Sequence, residues 1–264
     1  MELILFCNDM EKKTFRPLKL FICTFIFCIS CFSIAIAYFS NTGLIDVPSA
    51  YVMKNGIFST GVHTVIYKQN REEIGIRADF GVFGFIESGI FILKKDDKDY
   101  LMGNFKLMLS RESGSIPALS IGFDNFGEKV DDTFVNYKSS FYGVISKQFN
   151  LPFVHIIDGH IGLGNKRYLV DESFGTYLHG VFLGLRKDFI LSSQNSKLCL
   201  MGELIGKDIN AGIKYIMDSG ISVNLSIGQL NSNIKYYVGI NFSNEPILRQ
   251  ISQAKKYAMK ISSE

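Results

Sequence analysis

From residue 57 to residue 242 the chain repeats one pattern: an apolar side chain, a small or polar one, then an apolar one again. The stretch ISVNLSIGQ at 221–229 shows it most cleanly, with Ile221, Val223, Leu225 and Ile227 in one register and Ser222, Asn224, Ser226 and Gly228 in the other. Side chains alternate across a pleated strand, so a period of two gives each strand one greasy face and one polar face. Between Asn41 and Phe242 no stretch carries the 3.6-residue period of an amphipathic helix. The expectation is an all-β chain.

The pattern predicts strands at 57–67, 72–80, 84–94, 101–111, 117–125, 139–148, 153–164, 177–186, 197–205, 208–217, 220–229 and 233–242, twelve in all. Most come near the ~9–11 residues that a tilted strand needs to cross a bilayer. Two architectures present such strands. In a β-sandwich the apolar rows of two sheets pack on each other, whereas in a closed membrane barrel they face lipid and the polar rows line a lumen. On the barrel reading, the inward face collects His63, Arg77, Asp79, Glu87, Lys106, Asp124, Asp158, His160, Arg186, Glu203 and Lys214, while Phe58, Val62, Ile76, Phe80, Leu107, Leu185, Ile213, Val238 and Ile240 face outward.

Export tilts the choice toward the barrel. Lys12, Lys13, Arg16 and Lys19 precede an apolar run, Leu20–Ala37, that ends in Ala35-Ile36-Ala37, the small-x-small form of a signal-peptidase site. We therefore expect a signal peptide over 1–37, with Met10 as its start, or else an uncleaved anchor carrying an exported sandwich. Cys7, Cys23, Cys28 and Cys31 fall in the leader, which leaves Cys199 without an intramolecular partner and excludes a disulfide framework. A closed barrel needs none, because it satisfies every backbone group between strands and has no sheet edge.

Connection lengths follow the same reading. Starting from a periplasmic N-terminus, the long polar connections 126–138 and 165–176 fall outside, and the short ones 81–83, 150–152 and 218–220 fall inside, with 187–196 long for a periplasmic turn. The net charge of +3 and the absence of any basic run interleaved with aromatics exclude nucleic acid as a partner. Outer-membrane lipid is the partner that the apolar face requires.

The segment TGLIDVPSAYVMKNGIFSTGVH (42–63) resembles the opening of YjbH-type outer-membrane barrels associated with exopolysaccharide, and PALSIGFDNFG (117–127) and GELIGKDINAGIKY (202–215) are similar to that family as well. The resemblance implies an outer-membrane location in a diderm bacterium. It also implies a non-enzymatic role in exopolysaccharide production or export, with polysaccharide or envelope proteins as partners, and it transfers no catalytic residues. Its motif residues Gly43, Pro48 and Gly56 also have a physical reading. Pro48 lacks a donor and restricts Val47, so 38–56 is not a regular strand but either a plug or a barrel-entry turn.

The barrel is thus expected over 57–243. After it the period changes: Pro246 suits a first helical turn, and Ile247, Ile251, Ala254, Tyr257, Ala258 and Ile261 share one side of a short helix over 244–264, with Arg249, Lys255, Lys256 and Lys260 on the other. Asn244 is placed to cap it. That basic side suits anionic headgroups, an envelope component or plain solvent. His63, His155, His160 and His179 come without a nucleophile signature. Asp158 and His160, two apart on one face, are a candidate acid–base pair, although in a polar lumen such groups more often sit in a hydrogen-bonded network. Neither an enzyme, a cofactor nor a metal is expected. A narrow channel or porter for small solutes stands as the alternative function.

Overall fold

The alternating residues build the strands they predict. In a computed structural model the described residues are 42–68, 72–95, 98–130, 133–134, 140–152, 155–164, 180–191, 196–231 and 234–252. The signal peptide expected over 1–37 and His179 lie outside them. The strands are β1 (Phe58–Tyr67), β2 (Glu72–Val82), β3 (Ile86–Lys95), β4 (Lys98–Ser110), β5 (Ala118–Val130), β6 (Thr133–Phe134), β7 (Ser140–Leu151), β8 (His155–Gly164), β9 (Gly180–Leu191), β10 (Ser196–Ile205), β11 (Asp208–Ile216), β12 (Ile221–Gly228) and β13 (Lys235–Ser243).

Each long strand pairs antiparallel with its neighbours in sequence, β4 pairs with β5, and β1 pairs with β13 from Ser59↔Ser243 to Tyr67↔Lys235. The sheet therefore closes on itself as a transmembrane β-barrel of twelve strands, while the two-residue β6 folds back on Lys129 and Val130 of β5. This replaces the sandwich alternative, because among the described residues one closed sheet holds all the strands and no second sheet packs on the apolar rows. They point outward instead: Ile76, Leu185 and Ile240 are 51%, 59% and 53% exposed, whereas Asn224 and Lys214 on the inner face are 0% and 2% exposed. An apolar girdle around a polar interior is the inverse of a soluble protein and fits hydrocarbon outside.

Two connections differ from the sequence expectation. β9 does not stop at Arg186 but continues to Leu191, so 187–196 is not a long turn. Arg186 and Asp188 lie two apart on the inner face and pair at 2.6 Å, which keeps the alternation going through residues that read as a polar loop. Likewise β5 continues through Phe126 to Val130, so the connection expected at 126–138 starts later. At the rim where β1 starts and β13 ends, the β2–β3 hairpin turns on Phe83 (φ 52°) and Gly84 (φ 72°), two successive positive φ angles of the kind tight hairpins require. The connection expected at 165–176 lies outside the described residues.

The chain leaves β13 into a helix described over 245–252. Asn244 does not cap it with its side chain. Its Oδ1 accepts the Phe58 N–H at 2.9 Å and its Nδ2 donates to the Gly56 carbonyl at 3.1 Å, fastening the end of the barrel to its beginning. Lys54 and Glu245 add an exposed pair at 3.3 Å.

Candidate functional site: the occupied lumen

The interior is filled by the segment that precedes β1. Leu44, Ile45, Val47, Ser49, Ala50 and Met53 are all buried, at 4% exposure or less. The Leu44 N–H donates to the Val47 carbonyl at 2.9 Å, and Ser49 Oγ to the Thr42 carbonyl at 2.5 Å, so the segment doubles back as a short loop. Pro48 sits where that loop turns, as its fixed φ and missing donor allow.

Wall side chains hold this plug by its backbone. At the tip, Glu203 of β10 accepts three successive N–H groups: Oε1 takes Ile45 at 2.6 Å, Asp46 at 3.0 Å and Val47 at 2.9 Å. Its Oε2 takes Asp46 again at 3.0 Å and Asn210 Nδ2 at 3.1 Å. Consecutive amides converging on one carboxylate form an anion nest, here built from the plug around a wall residue. Midway, Ser146 Oγ of β7 accepts the Ala50 N–H at 2.7 Å, and Ser120 of β5 donates to the Ala50 carbonyl at 2.6 Å. Nearer the entry rim, Glu87 of β3 accepts the Met53 N–H at 3.0 Å and the Thr42 hydroxyl at 2.8 Å. Lys106 of β4 donates to Thr42 Oγ1 at 2.7 Å and pairs with Glu87 at 3.3 Å. Apolar contact completes the seat. Val47 and Ala50 pack with Tyr142, Val144, Phe182 and Ile205, while Leu44 and Ile45 pack with Val65, Met201 and Tyr237.

At the entry rim a smaller cluster fixes the descending part of the plug. The Tyr51 hydroxyl donates to Glu112 Oε2 at 2.6 Å, while Lys147 Nζ and the Gln148 N–H donate to its Oε1 at 2.8 and 3.1 Å. Burial pushes the Glu112 carboxyl up, but the hydrogen bonds from Lys147, Tyr51 and Gln148 outweigh it and hold the group below its ordinary 4.5.

The inward residues named from the sequence thus do not form one centre. Glu203 holds the plug tip, Glu87 and Lys106 hold Thr42 and Met53, and Arg77 grips Asp79 at 2.8 Å with Asn104 donating to the same carboxylate at 2.9 Å. His63 and Lys214 are buried on the wall, and Asp124, Asp158 and Arg186 are partly buried there. His160 Nδ1 lies 2.7 Å from Ser146 Oγ, and among the described residues its Nε2 has no hydrogen-bond partner, so no described contact joins it to Asp158. Of the motif residues, Gly43 and Pro48 lie in the plug, and Gly56 (φ 77°) marks where the chain leaves the lumen for β1. A cavity between plug and wall is lined by Pro48, Arg77, Glu87, Lys106, Asp124 and Tyr142.

Sequence reasoning missed Ser120, Ser146, Asn210 and Tyr237, although each stands in an inward register, and it had no signal for the Tyr51–Glu112 contact.

No protein-family model and no curated protein matches the chain. Among solved structures the chain is similar to the KdgM porin (TM-score 0.47, 9% identity, 70% of this chain and 98% of that one). It is also similar to the KdgM porin in complex with disordered oligogalacturonate (TM-score 0.46, 9% identity, 70% and 98%). A third similar structure is the β domain of the Bordetella autotransporter Brka (TM-score 0.31, 12% identity, 72% and 99%). The architecture assigned here rests on the chain's own strand pairing: a transmembrane β-barrel whose lumen is occupied by its own N-terminal segment.

Proposed function

We propose that this protein is a non-enzymatic outer-membrane barrel, closed in its resting state, that serves surface exopolysaccharide production or export. The observation that carries the closed state is Glu203 accepting the amides of Ile45, Asp46 and Val47, which seats the plug across the lumen. The closed ring of strands, the apolar exterior and the basic-then-apolar leader support an outer-membrane location. The polysaccharide role is supported by the family-like segment 42–63, because the residues that carry the resemblance are those that build the plug and its exit.

Fractionation tests the location. The full chain is expected in the outer-membrane fraction, with faster gel mobility unheated than boiled. Recovery in a soluble fraction with a single mobility would overturn that part. A deletion strain is expected to lose or alter its surface polysaccharide, restored by the wild-type gene; unaltered polysaccharide would remove that role and leave the barrel reading standing.

A further inference from the structure

Two features of the wall are out of place in a permanently sealed barrel. The ion pairs Arg77–Asp79, Lys106–Glu87 and Arg186–Asp188 line the interior. A core that never meets water is better served by apolar residues of similar volume, because desolvating two charges offsets their attraction. Paired charges suit an interior that is sometimes wet. Next, the plug's polar fasteners are mostly wall side chains bonded to its backbone, at Glu203, Ser146, Ser120 and Glu87. Water can replace each of these bonds without leaving a group unsatisfied on either side.

Gly184, on the inner face of β9, marks where the plug is seated. Its φ is not in the left-handed region, so the backbone there does not call for glycine. A Cβ at this position would lie 2.9 Å from Leu44 Cδ2 and 3.1 Å from Val47 Cγ1, while its nearest wall atom, His160 Cβ, would be 3.6 Å away. The missing side chain makes room for the plug and for nothing else close by.

We infer that the plug is a gate, and that withdrawal of residues 42–53 opens a water-filled pore for hydrated inorganic ions and small uncharged polar solutes. Gly56 is the fixed end of the segment: its N–H donates to the Gly81 carbonyl and its carbonyl accepts from Asn244, so the plug moves while the chain is held at this point. Beyond it, Asn244 keeps hold of the Phe58 N–H, so β1 stays in the sheet when the plug moves. Paired charges of both signs on the wall recommend small hydrated solutes over large ions of a single sign.

This gate rests on the outer-membrane reading, and the test separates the two. The full chain, purified as the heat-modifiable barrel, is studied in planar bilayers in KCl and in liposome swelling with a pentose. Wild type is expected to insert and stay closed with rare brief steps. Gly184→Val, which crowds the seat, and Glu203→Ala, which removes the latch, are expected to raise open time at least tenfold and to admit the pentose. Leu44→Ala/Val47→Ala loosens the plug without touching the wall, and is expected to do the same even if a wall variant fails to fold. Folded variants as silent as wild type, or a wild type as open as its variants, would overturn the gate. A wild-type chain that never forms a heat-modifiable membrane barrel would instead overturn the outer-membrane reading beneath it.

Discussion

The Tyr237 hydroxyl donates to Asp46 Oδ2 at 2.8 Å, tying β13 to the tip of the plug. Asn210 Nδ2 reaches the same oxygen at 3.0 Å, so the Asp46 carboxylate is held from two strands. Tyr237→Phe keeps the ring that packs with Leu44 and Ile45 and removes only the donor. Hydrogen bonds to charged groups contribute roughly 1.5–3 kcal/mol, and a loss of that order is expected in the urea midpoint of the folded barrel. An unchanged midpoint would show that the bond does not hold the tip.

Acid should loosen the entry rim. Glu112 lies below its ordinary 4.5 when folded, so its contribution is complete above that value and is lost as pH falls below 4.5 through the lower folded value. Thermal midpoints measured across this window are expected to drop more for wild type than for Glu112→Gln, which carries no titrating group there. Parallel curves would exclude Glu112 as the cause.

The outward rows should reject charge by depth. Leu225, in the middle of β12 and 46% exposed, faces the girdle. Leu225→Arg is expected to cost roughly 2–4 kcal/mol if it lies at the bilayer midplane, read as a reduced folding free energy in lipid. A neutral effect would place that side chain in water.

The buried Arg77–Asp79 pair offers a two-sided test. Asp79→Ala strands a guanidinium whose side chain is 9% exposed and leaves Asn104 without its acceptor. A cost of about 3–5 kcal/mol is expected for such a broken pair, whereas Arg77→Met/Asp79→Leu, which removes both charges, is expected to cost much less. Equal losses in the single and double variants would contradict the pairing.

The barrel was legible because its signal is local. Each strand needs only its own alternation to declare two faces, and Ile221 to Gly228 does so without reference to any other part of the chain. The ends were less legible: Asp188 reads as part of a turn until its pairing with Arg186 across Lys187 is seen. The plug was only half legible. Pro48, Gly43 and Gly56 declare an irregular segment, but what places it inside is Glu203, more than 150 residues away, and no local pattern links them. Glu203 itself stood in the inward register, yet its role depends on a partner that offers only backbone amides, which every residue but proline carries.

Lipid contact along one strand tests the barrel most directly. Nitroxide side chains are placed singly at positions 221 to 228 of β12, in a background without native cysteines and in a reconstituted bilayer. Oxygen accessibility is predicted to oscillate with a period of two, high at 221, 223, 225 and 227 and low at 222, 224 and 226. An oscillation of opposite phase, or odd positions more accessible to a water-soluble relaxing agent than to oxygen, would contradict a lipid-facing exterior.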